Sequence, residues 1–124
     1  MKKSLKINNK TTKKNSYITG IRAEKIAIIW LKLLGYSIIA NRHRNVFGEI
    51  DIVAVRGKKI FFIEVKSRQD YKNSEPLTYR QSKRIKNAAN LFLAKYPNFT
   101  VYEASFNLIV IGSWLFFRHY HNFW

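Results

Sequence analysis

The sequence predicts a mixed α/β fold, an α+β arrangement with helices flanking one sheet. Three observations predict it. Apolar residues recur at helical spacing in two segments, residues 22–34 and 78–96. Between them lie two apolar runs of strand length, 47–55 and 59–66, separated by Arg56-Gly57-Lys58. Two further runs, 101–111 and 114–120, flank Gly112-Ser113. The expected order is helix, three strands, helix, then two strands.

In chain order, the first fifteen residues carry six lysines and no acid, so residues 1–17 read as a flexible basic arm. The remainder, 18–124, is expected to form one domain, since 124 residues suffice for a single core. In the first helix Ala23, Ala27, Trp30, Leu31 and Leu34 share a face, and Gly35 stands at the usual stop position. Residues 36–40 form a short strand candidate, and the polar, basic stretch 41–45 suits a loop. Gly57-Lys58 fits a two-residue hairpin turn. Residues 67–77, with Pro76, read as a mobile loop. Thr78 with Gln81 has capping-box spacing. Ile85, Ala88, Ala89, Phe92, Leu93 and Tyr96 then line the second helix, which Pro97 closes.

Charge narrows the partners. Twenty-three Lys and Arg against seven acids leave a formal charge of +16. Such a balance favours association with nucleic acid or an anionic surface. Cysteine is absent, which removes disulfides and thiolate metal sites and fits a reducing compartment. No apolar run is long enough to span a bilayer, and the basic start lacks the apolar stretch of a secretory signal. The expected location is cytoplasmic.

Three of the seven acids, Glu49, Asp51 and Glu64, fall within sixteen residues. If the hairpin turns between Gly57 and Lys58, paired residues sum to 115. Asp51 then faces Glu64, and Glu49 faces Lys66. Residues two apart share a strand face, so these four form a square, with Ile50, Ile52, Ile63 and Val65 on the opposite side. Opposed Cβ atoms lie about 4.5–5.5 Å apart, and two carboxylates so close repel unless a cation or proton intervenes. Mg²⁺ or Mn²⁺ suits such hard oxygen donors and keeps room for water and phosphate. Lys66 lies where it could orient a water or stabilise charge developing on a phosphate. A solvated hairpin face, with Glu49 simply paired to Lys66, fits the same spacing. Spacing leaves both open.

Asp51, twelve intervening residues and Glu64-Val65-Lys66 resemble the PD-(D/E)XK nuclease signature. A longer set of matches resembles the YraN family, small bacterial proteins of the restriction-endonuclease-like superfamily. It comprises Gly20-x-x-Ala23-Glu24, Gly35-Tyr36, Asn41-x-x-Arg44, Gly48-Glu49-Ile50-Asp51, Glu64-Val65-Lys66-x-Arg68 and His119-x-x-Asn122. The resemblance implies a restriction-endonuclease-like αβββαβ core, a central mixed sheet flanked by helices, with the site on the central hairpin. The chain is also similar to archaeal Holliday-junction resolvases, in which an acid on the first helix joins the metal site; Glu24 matches that position. The implied set is then Asp51, Glu64 and Glu24 on the metal, with Lys66 assisting catalysis. Junction resolvases act as dimers, so a homodimer is a further expectation. The chain departs from many relatives in carrying Asn107 in the late strand and Gln81-Ser82 near the second helix start.

Candidate nucleic-acid contacts are basic. Arg80, Lys83 and Arg84 recur at i, i+3 and i+4 on one helix face, Arg42 and Arg44 precede the acidic strand, and Arg68 follows the acid-x-Lys motif. The expected function is that of a Mg²⁺-dependent endonuclease binding nucleic acid, with DNA favoured over RNA and branched DNA as a candidate substrate. The alternative is a non-catalytic nucleic-acid-binding module on the same scaffold. A ribonucleoprotein component or a membrane-surface binder explains fewer residues. His43, His119 and His121 lack a convincing metal-ligand spacing. The aromatic C-terminus reads first as core or interface.

Overall fold

The computed structural model describes residues 20–68, 77–112 and 117–124. The expected basic arm, most of the 67–77 loop and residues 113–116 of the second hairpin lie outside them. Residues 20–33 are helical (α1). There follow β1 (Ser37–Asn45), β2 (Gly48–Arg56), β3 (Lys59–Ser67), α2 (Tyr79–Lys95), a 3-10 turn at Pro97–Phe99, β4 (Glu103–Ile111) and β5 (Phe117–Tyr120). Among the described residues the strands form one mixed sheet in the order β1-β2-β3-β4-β5. Only the β3–β4 pairing is parallel, as a return through α2 requires.

The local signals act as their chemistry dictates. Gly35 takes φ +88°, and the N–H groups of Gly35 and Tyr36 donate to Lys32 and Leu31. This is a Schellman ending for α1, with Leu31 and Tyr36 buried together above it. Thr78 and Gln81 form the reciprocal capping box at the start of α2. Gly57, at φ +62°, turns the β2–β3 hairpin, where Arg56 pairs with Lys59 and Ile52 with Ile63. That is the register whose paired numbers sum to 115.

The sheet is buried on both faces. Ala23, Ala27 and Leu31 of α1 pack against Ile52, Ala54, Phe61, Ile63, Val65, Ile109 and Ile111. Ile85, Ala88, Ala89 and Phe92 of α2 cover Ile50, Val53, Ile60 and Phe62. Trp30, expected in the α1 core stripe, lies instead at its edge, with its ring centroid 4.5 Å from that of Phe117. Leu34 is likewise exposed, and Ile26, Ile29 and Leu33 face outward. Among the described residues, no helix is long and apolar enough to cross a membrane.

Two differences from the sequence reading shape the site. Residues 41–45 are not a loop: β1 continues through Asn45, pairing His43 with Ile50 and Arg44 with Glu49. As an edge strand, β1 tolerates charged side chains that a central strand would not. Ile50 and Ile52 also do not share a face. Ile50 joins the α2 cluster and Ile52 the α1 cluster, so β2 switches face at Asp51. Across from it, between the paired positions Asn41 and His43, Arg42 has φ +54°.

A buried polar network closes the far edge. Asn107, fully buried, accepts from the Asn122 N–H (3.1 Å) and from the Ser105 hydroxyl (2.9 Å). Its amide nitrogen lies 3.1 Å from His119 Nε2 and 3.4 Å from His121 Nδ1. Burial, His121 and Arg56 pull the His119 pKa down to about 4, so its ring stays neutral and can accept. Asn107→Ala is expected to destabilise the protein by about 2–3 kcal/mol, because several buried groups lose their partner at once. Urea melts of the two proteins check this, and equal midpoints would count against it.

Candidate functional site

The site forms where β2 parts from β3. The pairing of these strands ends at Ile52–Ile63, while β2 stays paired with β1 through Gly48. The Val65 N–H of β3 donates to Asp51 Oδ2 at 2.9 Å. A side-chain carboxylate thus replaces a ladder carbonyl, which anchors Asp51 and satisfies a backbone donor. Glu64 lies beside it, close enough for a hydrogen bond between the two carboxyls. Lys66, one step along β3, sits 3.6 Å from Glu64 Oε1.

The electrostatics are those of crowded acids with little water. Burial pushes the Asp51 carboxyl up to about 9, and Glu64, Glu24 and Glu49 push the same way against the Val65 hydrogen bond. Burial also raises Glu64, opposed by Lys66 and by the hydrogen bond from Asp51. The pair therefore prefers to hold a proton in the absence of another positive charge.

α1 contributes the third side of the site. Glu24, Glu49 and Asp51 each bring a carboxylate oxygen within 4.8 Å of the others. The expected ligand set names Glu24, Asp51 and Glu64; the group the geometry brings together holds Glu49 in place of Glu64, which lies against Asp51 and Lys66. Hairpin spacing assigns Glu49 to Lys66 as a cross-strand partner, and the structure corrects this. Glu49 pairs with Arg44 across β1–β2, at 3.1 Å, while Lys66 turns to Glu64. The square on one hairpin face does not form, because β2 leaves β3 before reaching Glu49. Arg42, a candidate nucleic-acid contact, has its Nε 2.7 Å from Glu24 Oε2. Residues 41–45 are polar throughout, so no alternation in the sequence marks them as the edge strand that pairs with Glu49.

The basic residues gather next to the acids. Arg80, Lys83 and Arg84, with Tyr79 and Asn87, line an open groove of about 370 Å³ on α2. A Cβ added to Gly48 would stand 3.7 Å from the Arg84 Cβ, so this face begins one residue from Glu49. Asn45 Nδ2 donates to the Ala88 carbonyl at 3.0 Å and ties the β1–β2 turn to the helix. Arg68 follows β3 directly and is exposed. The histidines are engaged elsewhere: His43 packs edge-on against Phe92, and His119 and His121 stack beside Asn107.

Known proteins share this chain's pattern. The chain is 35% identical to a UPF0102 protein of Bartonella tribocorum over 89% of its own length and 85% of the relative's. It is 35% identical to one from Parvibaculum lavamentivorans over 94% and 88%, and 41% identical to one from Rhodopseudomonas palustris over 78% and 75%. Among solved structures, the Archaeoglobus fulgidus Hjc, a Holliday junction resolvase, superposes with a TM-score of 0.55 at 21% identity, covering 83% of this chain and 77% of that one. That likeness shows that this chain shares the fold of that protein. The family model described as "Uncharacterised protein family UPF0102" matches residues 23–111, and with these relatives it places the chain in that family, the YraN family.

Proposed function

We propose that this protein is a divalent-cation-dependent endonuclease acting on DNA, with branched DNA as its substrate class. The observation that carries the reading is the convergence of Asp51, Glu64 and Lys66 where β2 and β3 separate, with Glu24 and Glu49 closing the site. The residues fit a cation: buried carboxylates with raised proton affinity need a positive charge, and their hard oxygens suit Mg²⁺ or Mn²⁺. Asp51, Glu64, Glu24 and Glu49 are the residues that would hold it. When bound, such a cation supplies polarisation of the scissile phosphate and a lowered pKa for the attacking water.

The chain's own groups do the remaining work. The Val65 N–H fixes the Asp51 carboxylate, and Glu64 holds the Lys66 ammonium at 3.6 Å. From there Lys66 orients the attacking water or stabilises negative charge on the phosphate. Arg80, Lys83 and Arg84 carry the flanking backbone towards the acids, and the exposed Arg68, directly after β3, adds a further cation for it. The resolvase neighbour supports DNA over RNA, and the outward apolar residues of α1 are consistent with a homodimer.

Incubation with Mn²⁺ or Mg²⁺ and duplex, single-stranded, flap and four-way-junction DNA tests the reading. Cleavage of at least one substrate is expected, and failure to cut any would overturn it. Replacing Arg80, Lys83 and Arg84 together by Ala is expected to weaken DNA binding. The slope of log K against log salt should flatten by roughly one for each phosphate that is no longer neutralised. Fluorescence anisotropy across a NaCl series measures that slope; an unchanged slope puts the groove off the DNA path. A second reading, a non-catalytic binding module, draws on the two ion pairs in which Arg42 and Arg44 already engage Glu24 and Glu49. It predicts salt-sensitive binding that survives Asp51→Ala and needs no cation.

A further inference from the structure

The acidic cluster already contains a cation of the protein's own. Arg42 Nε donates to Glu24 Oε2 at 2.7 Å, and Glu24 is only 8% exposed. The backbone at Arg42 has φ +54°, a conformation that side-chain-bearing residues adopt at a conformational cost and that persists where surrounding structure enforces it. Its position between the Asn41–Ile52 and His43–Ile50 pairs sets it across from Asp51, where β2 switches face. Arg44 makes a different kind of pair. Its side chain is 79% exposed and meets Glu49 at 3.1 Å in solvent, where an ion pair contributes little.

An arginine cannot vacate a carboxylate by losing its proton. It leaves only when another cation offers that carboxylate more. The Arg42 side chain is 39% exposed, so it has a route out of the cluster. Without the guanidinium, Glu24 would face Asp51 and Glu49 with their oxygens within 4.8 Å, and the demand for an external cation would rise.

We propose that Arg42 is a resident counter-ion that competes with the divalent cation for Glu24 and thereby sets the affinity of the site. The inference rests on reading the cluster as a cation site, and it concerns binding rather than cleavage. It makes cation occupancy conditional: the site fills when the external cation outcompetes the guanidinium. Arg42 is in this sense a positioning residue, acting through Glu24.

The test is calorimetric titration of Mn²⁺ into the full chain and into Arg42→Gly, Arg42→Gln and Arg44→Gln. Glycine accepts the positive φ without strain, so Arg42→Gly keeps the backbone while removing the charge. Both Arg42 variants are expected to bind Mn²⁺ about tenfold more tightly, the scale of removing a nearby like charge from a partly buried site. Arg44→Gln should stay within roughly twofold of the parent because its pair is solvated. Unchanged or weaker binding in both Arg42 variants overturns the inference and leaves the cation reading intact. Equal tightening in Arg44→Gln also overturns it, since the effect would then be general charge. If no protein in the set binds Mn²⁺, the cation reading falls as well.

Discussion

Asp51→Asn is expected to lower cation-supported DNA cleavage by roughly a thousandfold or more, and Lys66→Ala by about a hundredfold to a thousandfold. The first change removes a charge while conserving shape. The amide oxygen of Asn can still accept the Val65 N–H that Asp51 Oδ2 accepts at 2.9 Å, so the separation of β2 from β3 persists. What disappears is the carboxylate common to the Glu24–Glu49 cluster and to the Glu64 contact. Lys66→Ala leaves the carboxylates and removes the ammonium that Glu64 holds at 3.6 Å. Its effect should therefore fall on kcat more than on DNA affinity, since the flanking phosphates meet other residues. Single-turnover rates on whichever DNA the parent cuts separate the two parameters. Parent-like rates in both variants would place catalysis outside this cluster.

The second large effect is on stability, and it runs opposite to the loss of activity. Burial and neighbouring acids raise Asp51 from its ordinary value of 3.8 to about 9 in the fold. In the unfolded chain the group loses its proton near 4; in the folded protein it keeps it far longer. The unfolded state thus binds fewer protons between those values, and stability falls as pH rises from about 4 towards 9. Asp51→Asn abolishes that loss. At pH 8 without metal the variant should be more stable than the parent by about 1–3 kcal/mol, using about 1.4 kcal/mol per pKa unit and allowing for relaxation around the site. At pH 5 the two should nearly coincide. Urea melts in EDTA at pH 5, 7 and 8.5 measure the difference, and parallel pH profiles would refute it. Added Mn²⁺ should recover the parent's lost stability at pH 8 far more than the variant's. A site that costs stability while raising function is the usual signature of grouped like charges.

Much of this geometry is legible in the chain because short-range rules wrote it. Gly35 ends α1, Thr78 and Gln81 cap α2, and Gly57-Lys58 sets a register in which Arg56 meets Lys59 and Ile52 meets Ile63. Each depends on residues a few positions apart, so pattern and outcome coincide. The neighbourhood of Asp51, Glu64 and Lys66 follows from that register, and the scarcity of acids draws attention to it. Glu24 is different: a first-turn acid fits a helix dipole equally well, and only the resemblance connects it to the strand residues.

Glu49 and Arg42 show where local reading stops. Extending the hairpin register by two steps assigns Glu49 to Lys66, but β2 also has β1 to satisfy. Backbone pairing with β1 runs on to Gly48 after pairing with β3 has ended at Ile52, so Glu49 goes to Arg44. The same division turns Ile50 towards α2 and Ile52 towards α1. It also forces Arg42, in a stretch with the composition of a loop, into a positive φ beside Glu24. Local chemistry along the chain thus specified the elements, their turns and the three residues nearest the proposed chemistry. Which carboxylates share a centre, and which arginine occupies it, was settled only on folding, because that depends on one strand being shared between two neighbours.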